Sequence, residues 1–470
     1  MTKRSESGND SDASRSLGGR LLALINLRPS EVAPVLLAGL MFFCILYGYF
    51  FIRPVREAFG VERGMDELRS LFFATMAASL ALSPVFSWLV GRFDRRIFLP
   101  VAYGSIVVML LGFAFYRAAG GDEAVTAWTG RIFFVWLSVI NLFMVGLFWS
   151  LMSDCFRPED ARRVFPSVAV GGTLGALLGS ASAWAVSGYP FEMFGRDLFD
   201  LGITLSPPTM MTVAAVFVGL AGAISVVLSL IRPHADPGGD VVDDSPNRPR
   251  RSALREAVDG LWLAMRSHYL LVIASYIALL AVLTTLLYFE QAEVVINAED
   301  SESGRVGIFA SIDFWTQFAT LVLQLVVTAR LLRWIGVGWA LALLPMIALG
   351  GCIVLAMGEQ AGWAAATMLG IITVVQAVFR AGRYAIARPS RETLFTVLDR
   401  DEKYKAKNLI DTFVYRAGDF AGVGVDAALA KIGVVSMMAL AVTVAPIAIV
   451  MAGLALWLGS EQTRRANTDA

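Results

Sequence analysis

The chain has few charged residues and few of the side chains that enzymes use for catalysis. Only 17% of its 470 residues are charged and 57% are hydrophobic, whereas about 25% of the residues in a soluble domain are charged. The 39 basic residues balance the 39 acidic ones, which leaves no net positive charge for binding nucleic acid. Histidine occurs only at His234 and His268. These shortages argue against a soluble enzyme, and we expect neither enzymatic activity nor a cofactor.

Cysteine is equally scarce. Cys44, Cys155 and Cys352 lie in or beside apolar runs, without Cys-x-x-Cys spacing. They therefore form neither a disulfide framework nor a zinc site. We expect them to be small packing residues.

Long apolar runs, in contrast, are abundant. A helix needs about 20 apolar residues to cross the hydrocarbon core of a bilayer. Twelve runs approach that length: 32–52, 68–90, 97–116, 131–152, 164–188, 209–231, 269–289, 307–329, 335–357, 361–381, 409–430 and 434–458. The sequence predicts an all-α membrane protein with twelve transmembrane helices.

Lysine and arginine are distributed unequally between the segments that join these runs. The side that carries both termini holds 28 of the 39, the opposite side holds 9, and Arg380 and Arg416 lie within runs. Because cytoplasmic loops are enriched in basic residues, we expect both termini to be cytoplasmic.

The longest connection divides the runs six and six. Its first half is rich in Pro, Gly and Asp, a composition typical of solvated linkers. We expect five segments, with no signal peptide in the first: a tail (1–31), a six-helix bundle (32–231), a cytoplasmic linker (232–268), a second bundle (269–458) and a short tail (459–470).

An internal repeat relates the two halves. A shift of 243 positions places Gly175 and Gly179 on Gly418 and Gly422, each pair in a run that follows a charged turn. Such a repeat is typical of transporters. Glycines four residues apart allow close helix contact, so we interpret them as a packing face rather than a ligand site.

Several ionisable and amide side chains interrupt the apolar runs. A charge in hydrocarbon costs about 2.5–3.5 kcal/mol or more, so these side chains predict a hydrated cavity between the helices. We expect Arg416 and Asp419 to form an intrahelical ion pair. The predicted coupling or structural residues are Asp313, Gln317, Asp411, Arg416 and Asp419.

The first and seventh runs end in opposite charges. Arg53 and Arg56 follow the first, and Glu290 and Glu293 follow the seventh. We expect the arginines to face the aqueous path, and one of them to pair with one of these glutamates across an outer gate when the protein is open to the inside. The alternative is that the glutamates are solvated and unpaired.

The turn after the second run contains Asp94 and Arg95 within Gly-Arg-Phe-Asp-Arg-Arg. It resembles a shortened form of the loop motif of the major facilitator superfamily, in which such residues latch the cytoplasmic side. We treat both as gate candidates. An ordinary basic cytoplasmic loop explains the turn equally well.

Three segments resemble motifs of the Tlc-type ATP/ADP translocases. They are Ile52-Arg-Pro-Val-Arg-Glu57, the run Gly382-Arg-Tyr-Ala-Ile-Ala-Arg-Pro-Ser-Arg-Glu392, and Asp401-Glu-Lys-Tyr-Lys-Ala-Lys407 with Ile410-Asp411. The resemblance implies a major-facilitator-like fold and the exchange of anionic solutes.

The resemblance also implies site residues. Arg56, Arg383 and Arg391 stand where the family has lysine, and Glu290 stands near an acidic position of the seventh helix. Asn141, ahead of Phe148-Trp149, lies in a segment with a counterpart in the family. The predicted substrate-binding residues are Arg53, Arg56, Asn141, Glu290, Gln376, Arg380, Arg383 and Arg391.

Three functions compete. The first is an alternating-access carrier, a monomer in the bacterial cytoplasmic membrane, that moves or exchanges a nucleotide- or phosphate-like anion, with H+ as a candidate co-substrate. The second is a proton-coupled exporter of small amphiphiles, in which Asp313, Asp411 or Asp419 titrates. The third is a membrane scaffold, which does not need a hydrated core. Arginine stays charged and binds phosphate through two hydrogen bonds, which favours the first.

Overall fold

The computed structural model describes the transmembrane part of the chain and omits much of the terminal and linker sequence. The described residues are 28, 31–93, 95–190, 192–193, 196–197, 203–231, 267–399, 407, 410–433 and 436–468. Asp94, most of the expected 1–31 tail and nearly all of the expected 232–268 linker lie outside these ranges.

The first half of the described chain is a series of long helices. They are α1 (Val32–Val61), α2 (Met65–Arg92), α3 (Arg95–Ala118), α4 (Glu123–Cys155), α5 (Pro158–Ala185) and α6 (Pro207–Ile231). Between α5 and α6, Glu192–Met193 (β1) and Arg196–Asp197 (β2) form a short antiparallel pair.

The second half repeats this plan, with three π-helical turns. It contains α7 (His268–Ala298), α8 (Glu302–Val322), the π turn Leu323–Val327, α9 (Thr328–Gln360), α10 (Ala365–Leu394), the π turn Ile410–Val414, α11 (Tyr415–Lys431) and α12 (Met437–Thr468). Within α10, residues Arg383–Ala387 form the third π turn.

Eleven helices among the described residues are long and apolar enough to cross a membrane. The helix that fails this test is α11, which has only 17 residues and carries Arg416, Asp419 and Asp426. The structure therefore confirms an all-α protein with many membrane helices, and α11 differs from the other predicted spans because it is shorter and more highly charged.

Several helices extend past the ends predicted from hydropathy. The first run was expected to end at residue 52, whereas α1 continues through Pro54 to Val61. Similarly, α7 continues to Ala298. Hydropathy detects only the apolar core of a helix, so polar turns that continue it are missed. Consequently Arg53, Arg56 and Glu290 lie inside helices rather than at their ends.

The glycines of α5 pack directly on the backbone of α1. A Cβ atom at Gly175 would lie 2.4 Å from the carbonyl oxygen of Phe43, and one at Gly179 would lie 2.5 Å from that of Tyr47. Only glycine allows so close an approach of two helices. The predicted packing face is confirmed.

The internal repeat has the same structural meaning in the second half. A Cβ atom at Gly418 would lie 2.5 Å from the carbonyl oxygen of Ala278, and one at Gly422 would lie 2.7 Å from Cβ of Thr285. Thus α11 packs on α7 as α5 packs on α1, as the 243-residue shift predicts.

Each half has a hydrophobic core, and that of the first half also includes Val306 and Ala310 of α8. A third cluster joins the halves at the end of the bundle where α1 meets α2. We call this end the α1–α2 end. There, the ring of Phe72 lies 5.0 Å from that of Phe289 and 4.8 Å from that of Tyr288. This packing closes the bundle at the α1–α2 end.

Candidate functional site

A polar cavity of about 340 Å³ lies between the two halves. Helices α1, α2, α4, α7, α8, α10 and α11 contribute to its wall. The wall includes these residues predicted from the sequence: Arg53, Arg56, Gln317, Gln376, Arg380, Arg383, Arg416 and Asp419.

Arg53 connects the first half to the second. It lies on α1, and its Nη1 donates a hydrogen bond to Oδ1 of Asp313 on α8. Its Nε lies 3.4 Å from Oε1 of Glu57, one helical turn further along α1. Asp313 is buried beside the cavity, so the central ion pair between the halves is shielded from solvent.

Arg56 is fixed within the first half. Its Nε donates to Oγ of Ser138 at 2.8 Å, and its Nη1 donates to Oε1 of Glu57 at 2.7 Å. The guanidinium carbon lies 3.9 Å from the centroid of the Phe134 ring, a cation–π contact. These contacts hold one edge of the guanidinium and orient it along the cavity wall.

Glu57 is a site residue that sequence reasoning missed. Its Oε2 accepts a hydrogen bond from the hydroxyl of Tyr288 on α7 at 2.5 Å. It is therefore bonded to both arginines of α1 and to the opposite half. The spacing of four residues between Arg53 and Glu57 could have predicted their ion pair on one helix face. The contact of Glu57 with Tyr288, in contrast, is visible only from the packing of α7 beside α1.

Arg380 occupies the α10 wall opposite Arg53. Its Nη2 donates to Oε1 of Gln291 at 2.8 Å, and its Nη1 donates to Oδ1 of Asp313 at 3.3 Å. Asp313 thus receives hydrogen bonds from one arginine of each half. On the preceding turn of α10, Gln376 donates to the carbonyl oxygen of Leu287 at 2.5 Å.

Arg383 is held by hydroxyl groups and by the ring of Tyr384, whose centroid lies 5.0 Å from the guanidinium carbon. Its Nη1 lies 3.4 Å from Oγ1 of Thr284 and 3.4 Å from the hydroxyl of Tyr415, and its Nη2 lies 3.2 Å from the hydroxyl of Tyr384. Among the described side chains, no carboxylate oxygen lies within 4.0 Å of its guanidinium nitrogens. The guanidinium of Arg383 therefore has no ion-pair partner among the side chains that the structure describes.

The predicted ion pair on α11 is present. Nη1 of Arg416 lies 3.4 Å from Oδ2 of Asp419, and the other carboxylate oxygen of Asp419 lies 3.4 Å from the hydroxyl of Thr285. Both charged side chains line the cavity. This pair adds no net charge to the wall.

The two glutamates of α7 lie elsewhere. Glu290 and Glu293 line a second cavity of about 190 Å³, together with Arg69, Glu359 and Asp426. The predicted pairing of Arg53 or Arg56 with these glutamates is wrong for this structure, because Glu57 and Asp313 lie closer to the arginines. The glutamates project instead toward the acidic ends of α9 and α11.

Ion pairs between the halves also lie at the α1–α2 end. Arg69 on α2 donates to Asp426 on α11 at 2.7 Å, and Arg117 on α3 donates to Glu302 on α8 at 2.7 Å. Together with the Phe72 cluster, these pairs close the α1–α2 end.

The remaining predicted site residues lie apart from the central cavity or outside the described side chains. Asn141 is half-buried on α4, one turn from Ser138, and is absent from the cavity wall as described. Arg391 lies two turns beyond Arg383, with its Nη2 3.6 Å from Glu392. The side chains of Arg95 and Asp411 are among those the structure does not describe.

Comparisons with known proteins agree with this architecture. Residues 117–462 match the family model described as TLC ATP/ADP transporter, and residues 3–180 match that of the Major Facilitator Superfamily. The chain is 22% identical to "ADP,ATP carrier protein 1" of Chlamydia muridarum, over 92% of this chain and 87% of that protein.

Solved structures show the same fold at low sequence identity. A variant of the nucleoside transporter NupG superposes with a TM-score of 0.61 at 12% identity, covering 91% of this chain and 99% of that one. An auto-inhibited peptide transporter of the POT family gives 0.59 at 13% identity, with coverages of 92% and 97%. The fold is that of a multi-pass membrane transporter, and because one family model spans most of the sequence, including α7 to α11, the chain belongs to the TLC ATP/ADP transporter family.

Proposed function

We propose that the protein is an alternating-access carrier that moves or exchanges a nucleotide, or a similar phosphate-bearing anion, through the central cavity. The observation that supports this most strongly is Arg383, a cavity cation that has hydroxyl groups and an aromatic ring, but no carboxylate, as its partners among the described side chains. A guanidinium without a carboxylate partner is costly in a membrane interior. A phosphate group entering the cavity supplies that partner.

The charge of the whole cavity supports the same conclusion. Among the described side chains, five arginines line it, and the carboxylates in or against the wall are Glu57, Asp419 and Asp313. Arginines therefore exceed carboxylates by two. Because each guanidinium forms paired hydrogen bonds with phosphate oxygens, this surplus suits a multiply charged phosphate compound better than a neutral amphiphile.

The aromatic side chains suit the other end of a nucleotide. Tyr49, Phe72, Phe73 and Phe420 line the cavity along with the arginines. The rings of Phe73 and Phe420 meet edge to face at 5.1 Å across α2 and α11. Aromatic faces of this kind stack on planar nucleobases. A site with arginines and aromatic rings matches the two chemical parts of a nucleotide.

The names of the relatives support the same cargo. The chlamydial relative is called an ADP,ATP carrier, and the structural neighbour with the TM-score of 0.61 is a nucleoside transporter. Both names describe the transport of a nucleoside or nucleotide. We infer the same class of cargo for this chain, and exchange of one nucleotide for another as its mode.

The proposed topology has twelve spans, because α11 crosses the membrane in addition to the eleven helices that meet the length and hydropathy test. Both termini lie in the cytoplasm of a bacterium. The excess of lysine and arginine on one side supports this orientation. The α1–α2 end then faces outward, so the structure represents a conformation closed to the outside. Impermeant labelling of single cysteines at Asp240 and Asp300 from opposite sides of the membrane tests the orientation.

The function is tested by transport into proteoliposomes. Vesicles that contain the purified protein are loaded with ADP, and uptake of external labelled ATP is measured with and without a pH gradient. We expect uptake that requires internal ADP and proceeds without the gradient. Uptake of neither ATP nor ADP under any loading condition contradicts the proposal.

The Arg383→Gln variant tests whether Arg383 binds the cargo, because glutamine can still donate hydrogen bonds but carries no charge. We expect its uptake to fall by about 100-fold, the effect of losing a buried charge-assisted contact of roughly 3 kcal/mol. Arg63→Gln is the matched control, since Arg63 is partly exposed and pairs with the exposed Glu123. Equal uptake by both variants removes Arg383 from the binding site.

A further inference from the structure

Asp313 is bonded to two of the arginines that line the central cavity. Its Oδ1 accepts hydrogen bonds from Arg53 of the first half and Arg380 of the second. Both arginines also line the cavity. A carboxylate held by two guanidinium groups is chemically similar to a phosphate oxygen held by the same groups. Cargo and Asp313 therefore compete for the same cations.

The carboxylate of Asp313 is only partly satisfied. Its Oδ2 is buried and has no hydrogen-bond partner among the described residues. Glu57 is different, because Arg56 bonds one of its oxygens and Tyr288 bonds the other. A buried acceptor without a partner costs roughly 1–3 kcal/mol. Asp313 is therefore the carboxylate that a phosphate displaces at lower cost.

We propose that Asp313 is a built-in competitor for the cargo anion and thereby sets the charge that a cargo must carry. In the empty cavity it neutralises part of the charge of Arg53 and Arg380. A weakly charged ligand does not displace it, whereas a polyphosphate with several charged oxygens does. This inference rests on the proposed function, and it adds that Asp313 determines selectivity between cargoes of different charge.

Substitutions in a binding site usually weaken binding of the ligand, whereas competition by Asp313 predicts that removing its charge strengthens the binding of anions. In the described part of the cavity wall, removing the charge of Asp313 raises the surplus of arginines over carboxylates from two to three. Binding of anions should become tighter, most of all for the ligand with the most charge. Release should become slower, because no internal anion replaces the departing phosphate.

The test measures equilibrium binding of ATP, ADP, AMP and inorganic tripolyphosphate to the purified full-length protein. Asp313→Asn is the main variant because it keeps the shape of the side chain. Asp313→Glu, which keeps the charge, is the matched control, and Asp313→Ser replaces the Asn variant if that protein does not fold. Thermal unfolding confirms that each variant used is folded.

We expect the Kd for ATP to fall by about tenfold in Asp313→Asn, as removal of one charge near the phosphates implies. The ratio of the Kd for AMP to that for ATP should rise, and the maximal exchange rate should fall. Asp313→Glu should keep the ratio of the parent protein. A purely structural role changes the unfolding temperature without changing this ratio.

Weaker or unchanged binding of ATP and tripolyphosphate by folded Asp313→Asn overturns the inference. The result for the unaltered protein is interpreted separately. If it binds tripolyphosphate but no nucleotide, the proposed nucleotide cargo is wrong, and tripolyphosphate binding still tests the competition. If neither protein binds any of these anions, both proposals are overturned.

Discussion

The contact between α1 and α5 allows a quantitative prediction. Gly175 lies on this close contact, and Gly175→Ala adds a single Cβ atom there. That atom would lie 2.4 Å from the carbonyl oxygen, 2.9 Å from Cα and 3.0 Å from the carbonyl carbon of Phe43. All three are backbone atoms. No change of side-chain rotamer can relieve the overlap, so the helices must separate.

The size of the effect follows from that geometry. Ordinary carbon contacts begin at 3.4 Å, so the helices have to move apart by about 1 Å at this point. Overpacking of this kind costs roughly 1–3 kcal/mol. Alanine is a better helix former than glycine by about 1 kcal/mol, which offsets part of that cost. We expect a net loss of up to about 2 kcal/mol of stability relative to the parent protein, and of roughly 1–3 kcal/mol relative to a glycine-to-alanine change without a clash.

Gly112→Ala is the matched control. Gly112 lies within α3, and a Cβ atom there meets nothing within 4 Å. This variant gains helix propensity without a clash, so its stability should equal or exceed that of the parent protein. Unfolding of both variants in the same detergent, followed by intrinsic fluorescence, compares them directly. Gly418→Ala, on the corresponding contact of α11 with α7, should behave like Gly175→Ala.

Equal stability of Gly175→Ala and Gly112→Ala would refute the close contact of α1 with α5. Destabilisation by Gly175→Ala without any effect of Gly418→Ala would refute the equivalence of the two halves.

Two further predictions concern the ends of the bundle. Asp426→Arg places two arginines together at the α1–α2 end, where Arg69 and Asp426 now pair. The resulting repulsion should open this end. A cysteine at Thr75, which lies on α2 and lines the central cavity, should then react faster with an impermeant maleimide from outside. Adding Arg69→Asp should slow that reaction again, and no recovery would exclude the pair as a latch. Arg163 on α5 donates a hydrogen bond to the carboxylate of Glu31, which lowers the pKa of Glu31 below its ordinary value of 4.5. The ion pair therefore stabilises the fold above pH 4.5, and this stabilisation is lost as the pH falls through the lowered pKa. The unfolding temperature of Glu31→Gln should therefore drop less than that of the parent protein between pH 5 and pH 3; parallel curves would show that the pair contributes nothing.

The sequence was sufficient to predict the all-helical membrane class, the glycine packing face and eight of the polar side chains that line the cavity. Each of these depends on a local rule. Apolar runs of sufficient length form membrane helices, glycines in register pack closely, and charges avoid lipid. Arg53 and Arg383 line the cavity for the last of these reasons.

The partners of those side chains could not be predicted, because they depend on how the helices are rotated against one another. Tyr288 reaches Glu57 only because α7 packs beside α1 in one orientation. Glu290 and Glu293 illustrate the same limit. Complementary charge suggested that they face the arginines of α1, but α7 continues past them and directs them toward α9 and α11.

The most direct test of the central claim is a structure of the protein with ATP or ADP bound, determined by electron cryomicroscopy. We expect density for the nucleotide in the central cavity, with its phosphates against Arg383 and Arg53 and its base against the aromatic side chains. The hydrogen bond from Arg53 to Asp313 should be broken in that state. Nucleotide bound outside this cavity, or bound within it with no phosphate near either arginine, would contradict the account.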